Sequence, residues 1–141
     1  TRELFDFVET YARTGEPSPT TVLLMAAARR DFFLTVQHGQ FYQGKPVIGY
    51  DLPGFGDELC GLPYLPRLIA KARAKLVGSM GDDIIYCCEN DRRFFRDHGN
   101  IHPADFLRVV WAAGDSDPKV YDYVRQRTLS VSSAVPDNEQ M

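Results

Sequence analysis

The chain has 141 residues, of which 44% are hydrophobic and 25% charged, with a net charge of −3. These values describe one soluble globular domain, long enough to bury a core without disulfide or metal staples. The longest apolar runs, 21–28 and 32–36, are too short to span a bilayer, and the acidic balance argues against a general binder of nucleic acid or anionic membrane.

The first residues, Thr1-Arg2-Glu3-Leu4-Phe5-Asp6, are acidic and amphipathic and lack a basic segment followed by an apolar block. No signal peptide is therefore expected. The three cysteines, Cys60, Cys87 and Cys88, are an odd number and suggest no disulfide framework, so a cytoplasmic location is expected. Leu4, Phe5, Val8, Tyr11 and Ala12 share one helical face, and Gly15 is suited to end that helix. Ser18 as N-cap and Pro19 at the first position open a second helix. Its apolar positions are Val22, Leu23, Ala26, Phe33 and Leu34. Residues 32–36 also fit a strand, but helix is the preferred reading.

Residues 39–64 are rich in Gly and Pro turn signals, yet carry Phe41, Tyr42, Tyr50, Leu52, Phe55 and Leu59. That aromatic content predicts a packed loop rather than a flexible linker. A third helix follows, with Pro66 in its first turn, Leu65, Leu68, Ile69, Ala72 and Leu76 as its buried stripe, and Gly78 as terminator. Arg67, Lys71 and Lys75 recur every fourth residue and form a basic ridge. Residues 84–88 read as a short strand or a buried extended segment. Asn90 is suited to cap a short helix over 91–98 closed by Gly99. His102-Pro103 and Asp117-Pro118 open two more, with Phe106, Leu107 and Val110, then Val120, Tyr121 and Val124, facing inward. The expected organisation is a helical domain over 1–127 and a polar C-terminal arm over 128–141. Leu129, Val131 and Val135 of that arm are expected to rest against a surface, that of a second copy.

Leu65-Pro66-Arg67, Lys71-Ala72-Arg73-Ala74, Gly78, Tyr86 and Asp91-Arg92-Arg93-Phe94 follow one another over residues 59–127. In this the chain resembles a family of small bacterial proteins known as a domain of unknown function. The resemblance implies a helical fold and no particular activity. The family often has an Asp immediately before the lysine. Ala70 stands there in this chain, so an acid–base partner for Lys71 is absent from that position.

Several constellations could carry chemistry. Arg67 and Lys71 suit a carboxylate or phosphate, through a planar two-pronged donor and a compact charge. The bland alternative is a solvated ridge paired with Asp57, Asp82 or Asp83. Cys87, Cys88, His98 and His102 contain zinc-type ligands, but adjacent cysteines present both sulfurs to one tetrahedral ion poorly, so no metal is expected. A nucleophilic role for Cys60, Cys87 or Cys88 has no local signature. Asp91 and His98 are candidate proton carriers, although each also fits a helix-dipole role, Asp91 in a first turn and His98 in a last. Gly54-Phe55-Gly56 lacks the spacing of a nucleotide loop, and no cofactor motif is visible.

The expected fold is all-α or mostly α, a compact bundle of five to six short helices with a long aromatic loop, and it leaves a small two-stranded element open. The expected function is a cofactor-independent, metal-free enzyme of isomerase, lyase or cyclase type. It would act on a small anionic or aromatic metabolite by acid–base chemistry. Asp91 and His98 would be catalytic, and Arg67, Lys71, Tyr50, Phe55 and Tyr86 would bind the ligand. The competing function is a non-catalytic interaction or ligand-binding module using a basic helix face. A deep pocket containing Arg67 or Lys71 favours the enzyme, and a flat basic face favours the module. No nucleic-acid or membrane partner is expected, and a homodimer is.

Overall fold

A computed structural model describes the backbone of residues 2–134 and the side chains of residues 2–131. Among them are six α-helices: α1 (Arg2–Thr14), α2 (Pro19–Thr35), α3 (Leu65–Val77), α4 (Glu89–Asp97), α5 (Pro103–Ala113) and α6 (Asp117–Ala134). The irregular stretch between α2 and α3 holds a 3-10 turn at Gly49–Asp51 and two short strands, β1 (Glu58–Leu59) and β2 (Leu62–Pro63). The strands pair antiparallel, Glu58 opposite Pro63 and Leu59 opposite Leu62. The expected helical bundle with a small two-stranded element is what the chain forms.

Helix α3 is the axis of the core and packs on α2, α5, α6 and β1. All five residues of its apolar stripe are buried, and Gly78 closes it at φ +81°, where a residue without Cβ is unstrained. Phe106, Leu107 and Val110 of α5 and Val120 and Val124 of α6 fill the space around that stripe. The proline-marked helix starts hold. Ser18 accepts the Thr21 amide at the head of α2, and His102 accepts that of Ala104 at the head of α5. Residues 32–35 belong to α2, so the strand alternative falls away.

Three expectations are corrected. The apolar stripe of α1 faces out, with Phe5 and Val8 exposed, while Phe7 and Thr10 are buried. The cause is Glu3, whose carboxylate takes both Lys75 and the amide of Tyr86 and so turns the Phe7 side inward. Leu23 and Leu34 of α2 are likewise exposed, and Met25 and Ala28 supply its contact. In the aromatic loop Leu52 is buried, but Tyr50 is 94% exposed and Phe41 70%. Carboxylates hold much of this loop's backbone, beside ring contacts of Phe41 with Phe33 and of Phe55 with Tyr64. Asp51 accepts the amide of Ile48, Asp57 that of Gly54, and Asp83 that of Gly49.

Helix α6 continues through residues 128–134, the first half of the expected arm. Leu129 and Val131 on it are more exposed than buried neighbours such as Val124, and Val135 and the rest of the arm lie outside the described residues. No helix among the described residues is long and apolar enough to cross a membrane.

Candidate active site

Asp91 is the most deeply enclosed charged group among the described residues, with no exposed surface. It is the third residue of α4 and folds back over the helix start. The N-cap is therefore Cys88, two positions ahead of the Asn90 expected from the sequence. Asp91 Oδ2 accepts three donors: Lys71 Nζ at 2.7 Å, the Cys87 amide at 2.9 Å and the Cys88 amide at 3.3 Å. Its Oδ1 accepts the Tyr64 hydroxyl at 2.5 Å. Both oxygens of this buried carboxylate are thus satisfied by donors.

Two of these donors come from residues with unusual backbones. Tyr64 lies at φ 75° and Cys87 at φ 76°, in the left-handed region that bulky residues seldom occupy. Tyr64 precedes α3 and there lacks any side-chain cap, yet this conformation carries its phenol to Asp91. At Cys87 the same conformation aligns two successive amides on one oxygen. Backbone strain of this kind is stored where geometry matters. Burial first, and then the charge of Asp91, push the Tyr64 phenol well above its ordinary value, so it remains a donor.

Lys71 is 4% exposed. Its ammonium has three N–H groups. One goes to Asp91, one to the Cys88 sulfur at 3.4 Å, and the third has no protein partner among the described residues. Lys71, Arg67, Tyr64, Phe55, Leu52 and Cys88 line a pocket of about 190 Å³, smaller than the usual drug-sized cavity. Arg67 lies over the Phe55 ring at 4.2 Å and donates to the Pro53 carbonyl at 3.0 Å. Its Nε is enclosed and unpartnered. The pocket wall thus presents two cations, with the Asp83 carboxylate also lining it.

The rest of the basic ridge is neutralised. Lys75 pairs with Glu3, and the neighbouring Arg73 pairs with Asp117 at 2.5 Å. The expected partners Asp57, Asp82 and Asp83 take none of these cations. The two adjacent cysteines differ sharply. Cys87 is buried, which pushes its thiol up to about 12, whereas Cys88 is half-buried at the pocket.

Of the residues singled out from the sequence, Arg67, Lys71 and Phe55 meet at this pocket, with Asp91 directly behind Lys71. Tyr50 projects into solvent from its 3-10 turn. Tyr86 is a core residue whose hydroxyl donates to the Pro103 carbonyl at 2.7 Å. His98 stacks on Phe94 at 4.1 Å and borders a different groove, beside Cys60 and Leu129. Sequence reasoning missed Tyr64 and the Lys71–Asp91 pair. Tyr64 could have been found, because it precedes Arg67 by three residues and Lys71 by seven, on the same side of α3. Among the described residues no three His, Cys, Asp or Glu side chains gather as a metal would require.

Residues 56–134 match the DUF5069 family, a domain of unknown function. The chain belongs to this family. No curated protein and no solved structure matches it. The DUF5069 segment contains α3 to α6 and every pocket residue named above except Leu52 and Phe55.

Proposed function

We propose that the chain is a cofactor-independent enzyme for a small organic anion, working by proton transfer in the Arg67–Lys71 pocket. The observation that carries this reading is a concave site lined by two cations, Arg67 and a Lys71 that keeps one N–H unpartnered among the described residues, beside Phe55 and Leu52. Charge-assisted hydrogen bonds from a guanidinium and an ammonium are the strong, directional contacts a carboxylate needs. Phe55 and Leu52 would cover the apolar part of the ligand. Pocket size limits that ligand to a short metabolite.

The roles shift from those expected of the sequence. Asp91 has no surface and is filled with donors, so it acts by positioning Lys71. Lys71 is then the group that exchanges a proton with the ligand, in an isomerase, lyase or cyclase type of step. His98 takes no part in this pocket. A basic face meeting an acidic protein finds less support, since Lys75 and Arg73 already have carboxylate partners. A cytoplasmic setting and a homodimer through the α6 end belong to the same proposal.

The test is binding of short mono- and dicarboxylates followed by NMR on wild-type protein and on Arg67→Ala. Saturable shifts at Lys71, Cys88 and Tyr64 that vanish in a folded Arg67→Ala protein support the reading. Equal shifts in both proteins, or none in either, refute it.

A further inference from the structure

The pocket contains a nucleophile that the acid–base reading leaves unused. Cys88 stands at the N-cap of α4, half-buried, with its sulfur 3.4 Å from the Lys71 ammonium. The Lys71 ammonium therefore places a positive charge directly beside the sulfur that would attack. The other two cysteines provide the contrast. Cys87 is enclosed and its thiol is held protonated by burial, and Cys60 is exposed beside β1 without a cation against it among its hydrogen bonds and ion pairs.

The second observation concerns what would sit next to that sulfur. Lys71, a side chain 4% exposed with one N–H unpartnered among the described residues, and Arg67 line the same pocket wall. A carboxylate bound to Lys71 at about 2.8 Å, the usual length of such a bond, would sit on the ammonium that also meets the Cys88 sulfur at 3.4 Å. The anion-binding group and the nucleophile are thus close enough to address one small molecule.

We propose that Cys88 is a covalent nucleophile for short carboxylates that carry a leaving group on the carbon next to the carboxyl, with Arg67 and Lys71 holding the carboxylate. In the step a sulfur–carbon bond forms and the carbon–leaving-group bond breaks. The leaving group departs with the bonding electron pair, and the thiol proton passes to solvent. No oxidant or cofactor enters. This inference rests on the anion pocket proposed above and adds the class of ligand.

Iodoacetate is such a molecule, and iodoacetamide is its neutral counterpart. The experiment alkylates the full-length protein with each and follows Cys60, Cys87 and Cys88 separately by peptide mass spectrometry. Cys88 should react with iodoacetate at least about tenfold faster than the exposed Cys60, the effect of roughly one charge-assisted contact. Its rate should saturate with iodoacetate concentration, and Cys87 should stay unlabelled. In Arg67→Gln the ratio of iodoacetate to iodoacetamide rates at Cys88 should fall about tenfold. Unreactive propionate should slow the labelling of Cys88 in the wild-type protein, a readout that needs no variant. A Cys88 that reacts no faster than Cys60 with iodoacetate overturns the proposal, as does labelling indifferent to propionate. If carboxylates bind by NMR while Cys88 stays unlabelled, the nucleophile fails and the anion pocket stands. If neither is seen, both fail.

Discussion

Replacing Asp91 by Asn isolates the charge of the buried ion pair from its hydrogen bonds. The amide oxygen can take the place of Oδ2, facing Lys71 and the amides of Cys87 and Cys88. The amide nitrogen then faces the Tyr64 hydroxyl, which can rotate to accept. What is lost is the negative charge beside an ammonium that is 4% exposed. Removing one partner of a buried pair costs about 3–5 kcal/mol, a large part of the ~5–15 kcal/mol that holds a domain together. With a urea m-value of about 2 kcal/mol/M, the unfolding midpoint should fall by roughly 2 M. The double variant Lys71→Met with Asp91→Asn removes the stranded ammonium and keeps an acceptor for both amides. It should return to within about 1.5 kcal/mol of the wild type, a coupling larger than two independent sites give. Urea titration of the three proteins, followed by circular dichroism, measures both quantities. An Asp91→Asn protein within about 1 kcal/mol of the wild type, or a double variant whose losses simply add, would show that Lys71 does not depend on Asp91 as argued.

Leu68→Ala, at the centre of the α3 stripe, should cost about 2–5 kcal/mol in the same titration, and an unchanged midpoint would mean the stripe is misassigned. Arg67→Ala should lose carboxylate binding but only about 1–2 kcal/mol of stability, the worth of its carbonyl bond and its contact with Phe55. A protein that unfolds instead makes Arg67 a structural residue. The raised Cys87 thiol gives a pH dependence. The unfolded chain releases that proton first, near pH 9, so stability is complete below 9 and falls by about 1.4 kcal/mol per unit as pH rises toward 12. Cys87→Ala should flatten the curve between pH 9 and 10, before the raised phenols of Tyr64 and Tyr86 add their own losses. An unaltered slope would refute that assignment. Light scattering on full-length protein and on residues 1–127 tests the homodimer, which a monomer at micromolar concentration rules out.

Most helix boundaries, though not the start of α4, were legible because their signals are local. Ser18-Pro19, His102-Pro103 and Gly78 act within one turn, and the structure uses each as the sequence implies. The stripe of α3 was legible for the same reason, since a helix at the centre of a bundle buries its apolar side. The face of α1 was not, because its orientation depends on Glu3 meeting Lys75 and Tyr86, residues more than seventy positions away. The aromatic loop misled through composition. Aromatic side chains suggest burial, whereas Asp51, Asp57 and Asp83 hold the loop by its backbone and leave Tyr50 and Phe41 outside. Half of the pocket was legible, the half that sits on α3 at helical spacing. The other half required knowing that residues 87–91 fold back onto it.

The gap at Ala70 shows why. A carboxylate one residue before a lysine on a helix points to a different side, so its absence says little about whether the lysine has a partner. The partner is Asp91, delivered by the turn into α4 through two strained or capping residues, Cys87 and Cys88. Three of the motifs that carried the resemblance to the family contribute groups here. Leu65-Pro66-Arg67 gives the guanidinium, Lys71 begins the Lys-x-Arg-Ala segment, Asp91 begins Asp-x-x-Phe, and Phe94 packs beside Tyr64. A well-packed apolar pair of the same volume is often at least as stable as a buried ion pair. Stability alone therefore does not account for Lys71 and Asp91. Under the function proposed above, an ammonium fixed by a saturated carboxylate, with one N–H left over at the wall of a pocket and a sulfur at 3.4 Å, would act on a ligand bound there.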